Sequence, residues 1–129
     1  MEETAGMPKE IRYLTPEQVN RLEEACRMPE DKLLVRLLYQ TGARISEVLA
    51  LNPCNIDYAQ QRLELPALKR KDISTKLVIV DSGTLDRLRS YCRGKLANEP
   101  IFSICRQQAY YRIRIAARRA GLGKITPIP

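Results

Sequence analysis

The chain has 129 residues, of which 44% are hydrophobic and 29% charged, with a formal net charge of +7; this is the balance of a single globular domain, not of a disordered chain. No apolar run approaches the ~20 residues of a membrane span, and the acidic first ten residues lack the apolar core of a signal peptide, so we expect a cytoplasmic protein with no membrane partner. The lack of histidine excludes a Ser-His-Asp triad, and the four cysteines are too far apart in sequence for a metal clip, so we expect reduced thiols and no metal site.

The first part of the chain predicts helices. Residues 1–12 are expected to form a flexible lead. A helix is predicted to follow it, with Thr15 as the N-cap and Gln18 completing a capping box. A second helix is predicted from about residue 30 to 40, where leucines form a broad apolar stripe, and Gly42 fits a left-handed cap at its end.

The middle and end of the chain add one small sheet to a mainly helical pattern. A short third helix is predicted over residues 44–51. Residues 62–80 predict a β-hairpin, because an alternating run and a β-branched run flank a basic turn. Thr84 is the predicted cap of a fourth helix, residues 100–104 read as extended, and an amphipathic helix is predicted over residues 106–120. The predicted fold class is therefore α+β, mainly α.

Basic residues are concentrated in the second half of the chain. Residues 1–61 hold seven Lys or Arg and ten Asp or Glu, whereas residues 62–129 hold fifteen and five. Such asymmetry is typical of a surface that faces a polyanion, and it favours nucleic acid over a soluble protein with scattered lysines. Charge alone does not separate DNA from RNA.

Arg44 stands among apolar neighbours where the third helix is predicted to begin. A guanidinium together with the exposed N–H groups of a helix start forms an anion pocket. Glu47 lies three residues later on the same helical face and could hold the guanidinium in position. The alternative is an ordinary surface pair between the two side chains, and their spacing taken alone favours that interpretation.

Two further groups of cations are candidates for phosphate contact. The predicted hairpin carries Lys69, Arg70, Lys71 and Lys76. One of these lysines could give a proton to a leaving oxygen, or the group could simply be a solvated cluster that protects a sheet edge. The last predicted helix carries Arg112, Arg114, Arg118 and Arg119. These could contact backbone phosphates, or serve only solubility.

Four segments together resemble the tyrosine recombinases, the phage integrase family. They are "YLTPEQVNRL", "LLYQTGARISEVLALNPCNID", "LPALKRKDISTKLVIV" and "RIRIAARRAGLGKITP", in the order and spacing of that family over about residues 11–127. The segment "TGARISE" is the most specific of them. The resemblance implies a helical catalytic core that binds duplex DNA and cuts it through a 3′-phosphotyrosyl intermediate, with no cofactor.

The resemblance also assigns roles to individual residues. Arg44 matches the first phosphate-clamping arginine, and Glu47 matches its supporting carboxylate. Lys69 best matches the hairpin lysine that protonates the leaving 5′-oxygen, and Lys71 is the alternative because hairpin length varies. The other basic residues of the hairpin and of the last helix are then expected to contact DNA.

The match to the family ends after "ITP". Ile128 stands where the family has a histidine, and the second arginine and the nucleophilic tyrosine have no matching positions among the 129 residues. Tyr110 and Tyr111 precede that region and are interpreted as helix packing residues. We therefore expect residues 13–129 to be the N-terminal portion of a catalytic domain whose C-terminal part is missing. Alone, this portion should be inactive and should self-associate through an exposed apolar patch, whereas the parent enzyme would form a tetramer on DNA.

Two other classes of protein stay open on sequence grounds. A non-catalytic DNA-binding or regulatory module is the main alternative. A helix-turn-helix reader over residues 30–51 is one version of it, but "RISEVLAL" offers few polar side chains to read bases. A bare helical interaction domain would leave the basic half of the chain unexplained.

Overall fold

A computed structural model describes residues 9–66 and 75–128. Within these residues five helices surround one core, and two small sheets lie beside them. The helices are α1 (Pro16–Ala25), α2 (Pro29–Thr41), α3 (Ile45–Leu49), α4 (Ser82–Tyr91) and α5 (Arg106–Arg119). The strands are β1 (Lys9–Glu10), β2 (Ile56–Asp57), β3 (Arg62–Pro66), β4 (Thr75–Ile79) and β5 (Ile125–Thr126), and short 3-10 helices span Ile11–Tyr13 and Pro53–Asn55. The mainly helical α+β prediction is confirmed.

The first two helices form for the reasons that their sequences indicate. The Thr15 hydroxyl accepts a hydrogen bond from the Gln18 backbone N–H at 3.1 Å, and the Gln18 side chain accepts one from the Thr15 N–H at 2.9 Å. This is the predicted capping box. The leucine stripe makes α2 the central helix, with Leu33, Leu34, Leu37 and Leu38 all buried. Gly42 then ends α2 at φ 64°, a left-handed conformation that costs glycine little.

The predicted hairpin is present as β3 and β4, which pair antiparallel from Arg62 opposite Ile79 to Pro66 opposite Thr75. The unpredicted strand β2 adds to the other edge of β3. Leu63 and Leu65 of β3 point into the core. On β4, Leu77 and Ile79 are exposed, and they are two residues apart and so share one face of the strand.

The predicted flexible lead over residues 1–12 is corrected for its last four residues. Strand β1 pairs in parallel with β5, and the Lys9 N–H donates to the Lys124 carbonyl at 3.0 Å. Ile11 is fully buried in the core, so its apolar contacts hold this segment in place. The sequence did not indicate this pairing, because its two strands are short and far apart along the chain.

The start of α4 also differs from the prediction. Asp81, and not Thr84, is the N-cap: its Oδ1 accepts a hydrogen bond from the Thr84 N–H at 2.7 Å. This hydrogen bond, with smaller contributions from the Thr84 and Gln40 side chains and from Arg36, holds the pKa of Asp81 below its usual value. Thr84 itself lies buried in the first turn.

The segment from Pro100 to Ile104 joins the α4 region to α5 without forming a strand. Its Ile101 N–H donates to the Leu51 carbonyl at 2.9 Å, and Ile101 and Phe102 are buried, so it runs through the core as irregular chain. Beyond α5, Gly121 has φ 73°, as expected for a residue that ends a helix. No helix in the described part of the chain is long and apolar enough to cross a membrane.

Candidate functional site

Arg44 lies at the turn between the central helix and α3. Its backbone is extended, with φ −70° and ψ 150°, so it is the N-cap of α3 and not its first helical residue. On one side Ala43 is fully buried, and its N–H donates to the Thr41 hydroxyl at 3.1 Å. The turn is thus tied down by the core, and it presents a half-buried arginine at the start of a helix.

Glu47 fixes the backbone of Arg44. Its Oε1 accepts a hydrogen bond from the Arg44 N–H at 3.1 Å, and the residue is only 4% exposed. A carboxylate in the first turn of a helix also meets the positive end of the helix dipole. The sequence prediction paired Glu47 with the Arg44 guanidinium; the geometry adds that Glu47 supports the Arg44 main chain.

The hairpin reaches this turn through Lys76. The Lys76 Nζ lies 3.7 Å from Glu47 Oε1, so the buried carboxylate has a cationic neighbour from β4. Lys76 was predicted from sequence as a DNA contact in the hairpin, and its ammonium group is about half exposed. Arg44, Glu47 and Lys76 are therefore brought together from two elements that are distant in sequence.

Ile128 lies against the same turn. It forms a parallel β-bridge with Arg44, and the Ile45 N–H donates to the Ile128 carbonyl at 2.8 Å. Ile128 is the position where the resemblance places a histidine. The fold thus brings that position beside Arg44, with a buried apolar side chain there.

The predictions for Lys69, Arg70 and Lys71 fall outside the described residues. The strands that flank them end with the pair Pro66 and Thr75, directly before Lys76. The choice between Lys69 and Lys71 stays a prediction.

Two of the four predicted arginines of α5 have acceptors inside the protein. The Arg112 Nη1 lies 3.2 Å from Asp31 Oδ1 and 3.7 Å from Glu30 Oε1, and both carboxylates are buried at the start of α2. The Arg119 Nη1 donates to the Ala25 carbonyl at 2.7 Å, at the end of α1. These contacts attach α5 to the first two helices, and they compete with any contact to DNA.

Arg114 and Arg118 lie elsewhere on α5. Both are exposed and, with Gly121, Gly123 and Lys124, they line a cavity of about 350 Å³. Lys124 was not singled out by the sequence. The signal that could have found it is its position three residues beyond the glycine that ends α5, where the chain turns back towards the helix.

The interpretation of Tyr110 and Tyr111 as packing residues is half right. Tyr110 is partly buried against the core, with the Arg106 guanidinium 5.8 Å from its ring centre. Tyr111 is 66% exposed, so the packing prediction for it is wrong. The two tyrosines are consecutive, and a helix turns about 100° per residue, so both could not face the core.

The described cysteines and carboxylates do not gather into a metal site, and the four thiols differ in burial. Among residues 9–66 and 75–128, no cluster of three or more His, Cys, Asp or Glu side chains could hold a metal ion. Cys26 is buried, and burial together with the nearby Asp31 carboxylate raises its pKa to about 12, which keeps it a neutral thiol. Cys54 and Cys105 are exposed free thiols.

Comparisons with known proteins agree with this geometry. The model of the phage integrase family matches residues 12–127. The tyrosine recombinase XerA of Saccharolobus solfataricus is 27% identical over 114 residues, which cover 88% of this chain and 38% of that protein. The tyrosine recombinase XerC of Roseiflexus sp. (strain RS-1) is 31% identical over 137 aligned positions, covering 90% of this chain and 43% of that protein.

A solved structure shows the same fold. The crystal structure of XerA recombinase superposes with a TM-score of 0.74 at 23% identity, over 98% of this chain and 48% of that one. The chain therefore spans less than half the length of these relatives.

Proposed function

Because this chain belongs to the phage integrase family, we propose that it is the DNA-binding portion of a site-specific recombinase that cuts and rejoins duplex DNA through a 3′-phosphotyrosyl intermediate. Residues 13–129 are assigned to the N-terminal portion of the catalytic domain. The observation that carries the proposal is the meeting of Arg44, Glu47 and Lys76 at the start of α3, with the backbone of Ile128 bonded beside them.

Each of these groups has a physical task in the proposed reaction. The Arg44 guanidinium binds the non-bridging oxygens of the scissile phosphate and stabilises the charge that develops there. Glu47 keeps the Arg44 backbone in its extended cap conformation, so the side chain leaves the turn in a fixed direction. A hairpin lysine, Lys69 or alternatively Lys71, protonates the leaving 5′-oxygen, which departs as a hydroxyl. Lys76 supports this role for the hairpin, because its contact with Glu47 holds β4 next to the Arg44 turn.

The chain alone is proposed to bind DNA without breaking it. Its residues offer no match to the nucleophilic tyrosine or to the second arginine of the family, and such catalytic groups act as a unit. In the parent enzyme we propose assembly as a tetramer on DNA in the cytoplasm. For the chain alone we propose self-association, to which the exposed apolar face of β4 could contribute.

The test joins residues 1–127 to the C-terminal part of the XerC relative, which is 31% identical to this chain. With a nicked suicide duplex, the fusion should form a covalent protein–DNA adduct, and the chain alone should form none. Arg44→Ala should abolish the adduct at nearly unchanged DNA affinity, whereas Arg93→Ala, an exposed arginine beyond α4, should change neither. An adduct on Tyr110 or Tyr111 would overturn the assignment.

A second substrate identifies the hairpin lysine. A bridging 5′-thiol leaves without a proton, so it should rescue the variant of the lysine that acts as the acid and no other. Rescue of Lys71→Ala and not of Lys69→Ala would reverse the present order of the two lysines.

One observation favours a second candidate function. The buried side chain of Ile128 stands beside Arg44, where the resemblance places a histidine. A non-catalytic module that occupies recombination sites, as a regulator, needs no such group. This reading predicts that a fusion that keeps Ile128 binds duplex DNA with full affinity and never forms an adduct.

A further inference from the structure

Apart from Arg106, whose guanidinium lies over the Tyr110 ring, the arginines of α5 divide into two classes by what surrounds them. Arg112 and Arg119 are held by acceptors of the protein, the carboxylate of Asp31 and the carbonyl of Ala25. Arg114 and Arg118 project elsewhere, and in the parts of the chain that the structure describes neither has a carboxylate within ion-pair distance. The helix α5 therefore carries two arginines that are held by the protein and two that have no described carboxylate within ion-pair distance.

Arg114 and Arg118 lie with a third cation around one concave surface. Arg114, Arg118 and Lys124 are the only charged side chains among the residues described as lining the cavity of about 350 Å³, and the other two lining residues are Gly121 and Gly123. This cavity, bounded by the three cations, is called the α5 cavity below. Its glycines leave the backbone open to a ligand, because they carry no side chain.

A fourth cation lies at the edge of the α5 cavity. The Arg21 Nη2 donates to the Ala120 carbonyl at 2.6 Å, and it lies 3.6 Å from the place where a Cβ on Gly121 would be. Like charges four residues apart on a helix repel each other, so Arg114 and Arg118 destabilise the free protein slightly. An anion bound between them removes that repulsion.

Favourable interaction with the helix dipole explains only part of this arrangement. Cations in the last turn of a helix are stabilised by the negative end of its dipole, and this explains the position of Arg118. Arg114 lies more than one turn before the end of α5, and Lys124 lies beyond the helix, so the dipole does not account for their convergence.

We propose that the α5 cavity binds a backbone phosphate of duplex DNA, as a contact point separate from Arg44. The proposal rests on the DNA-binding function proposed above and adds Lys124 to its residues. It also reassigns Arg112 and Arg119 from DNA contact to holding α5 in place. Four extended residues lead from Lys124 to Ile128, a span of at most about 14 Å, and Ile128 is bridged to Arg44. A DNA strand carries a phosphate about every 3.4 Å along the helix axis, so one duplex is long enough to reach both places.

The experiment measures the affinity of the full chain for a short duplex as a function of salt concentration. Each phosphate contact contributes about 0.9 to the slope of log K against log salt. Substitution of all three cavity cations, Arg114→Gln, Arg118→Gln and Lys124→Gln together, should lower the slope by about 0.9, because one phosphate contact is lost, and Arg118→Gln alone should lower it by a smaller amount. The matched controls are Arg112→Gln and Arg119→Gln, which remove the same charge from the same helix and should leave the slope unchanged.

A second measurement locates the contact without substitutions. Addition of the duplex to ¹⁵N-labelled chain should shift the backbone amide signals of Gly121 and Gly123, which line the α5 cavity. The amide of Gly94, a glycine outside the cavity, should not shift.

Each outcome decides the proposal. An unchanged slope in the triple variant, with DNA binding intact, overturns the α5 cavity as a phosphate site and leaves the proposed function standing. An equal loss of slope in the cavity variants and in the controls overturns it too, because the effect would then be one of general charge. No salt-dependent affinity of the unsubstituted chain would overturn both this proposal and the proposed function. Should the triple variant fail to fold, the single Arg118→Gln variant and the glycine shifts decide.

Discussion

Arg44 and Ile128 are neighbours across a parallel β-bridge, although 83 positions separate them in the sequence. The Ile128 carbonyl accepts the Ile45 N–H at 2.8 Å, which satisfies one of the backbone donors that every helix start leaves without a partner. The geometry of the Arg44 turn therefore depends on a segment from the other half of the chain.

Ile128→Ala should lower the free energy of unfolding by about 2 kcal/mol, because a buried isoleucine loses its apolar contacts. Urea unfolding measures the loss, and faster hydrogen exchange of the Ile45 amide should accompany it. Ile79→Ala is the matched control, since Ile79 is 76% exposed and its truncation should cost little. Unchanged exchange at Ile45 in the Ile128 variant would contradict the role given to this contact.

Glu47→Ala should destabilise the fold by about 1 to 3 kcal/mol, because it leaves the partly buried Arg44 N–H without its acceptor. Glu47→Gln keeps an acceptor oxygen and should cost less. Chemical denaturation of both variants tests this order, with Glu24→Ala as the control for loss of an exposed carboxylate. Equal costs for Glu47→Ala and Glu24→Ala would be evidence against a supporting role for Glu47.

Arg112→Met should destabilise the chain by about 2 kcal/mol. It leaves the buried carboxylates of Glu30 and Asp31 without a cation, but the effect stays below that of a fully buried pair because Arg112 is one third exposed. Arg114→Met on the same helix should change stability by less than about 0.5 kcal/mol. A double-mutant cycle with Asp31→Asn should show coupling, and a coupling of zero would refute the ion pair.

The cap of α4 should give a pH-dependent contribution to stability. The pKa of Asp81 is lowered in the folded state, chiefly by the Thr84 N–H, so its stabilising effect is full above the unfolded pKa of about 3.9 and is lost as pH falls through the lower folded value. Asp81→Ala should therefore cost about 1 kcal/mol near pH 7 and progressively less in strong acid.

Asp81→Asn separates the charge from the cap. Asparagine caps helices but does not titrate, so the difference between the Asn and Ala variants should stay constant with pH. Thermal unfolding of the three proteins between pH 2 and 7 measures these differences. A cost of Asp81→Ala that does not change with pH would exclude the ionised carboxylate as the stabilising form.

The four thiols should react with a disulfide reagent in an order set by exposure and pKa. Cys54 and Cys105 are exposed and should react first. Cys92 is partly buried, and burial raises its pKa, so it should follow. Cys26, with a pKa raised to about 12 by burial and by Asp31, should react only when the chain unfolds. Mass spectrometry of the labelled peptides near pH 8 gives the order, and early labelling of Cys26 would contradict its buried position.

Features that depend on neighbours in sequence were predictable, and features that depend on distant partners were not. The Thr15 capping box and the turn at Gly42 are encoded within a few residues, and both were predicted correctly. The cap of α4 was misplaced by three residues, because Asp81 and Thr84 are both good capping residues and the spacing does not choose between them.

The candidate site shows the same division. Arg44 and Glu47 were identified from a short local pattern, whereas the approach of Lys76 and Ile128 requires the tertiary fold. Arg112 differs from Arg114 in having Asp31 as its partner. Asp31 lies in another helix, so the sequence pattern of α5 alone could not reveal this difference.

The pairing of β1 with β5 has a consequence for the order of folding. It joins Lys9 to Ile125, so nearly the whole chain forms the loop that this contact closes. The entropy lost in closing a loop increases with its length, and contacts of such high contact order are favourable only after the intervening helices and hairpin have packed. Ile128 follows β5 by two residues and reaches Arg44 only when β5 is docked. The Arg44 turn would therefore be completed in one of the last steps of folding, and local opening of this strand pair would expose it before the helical core unfolds.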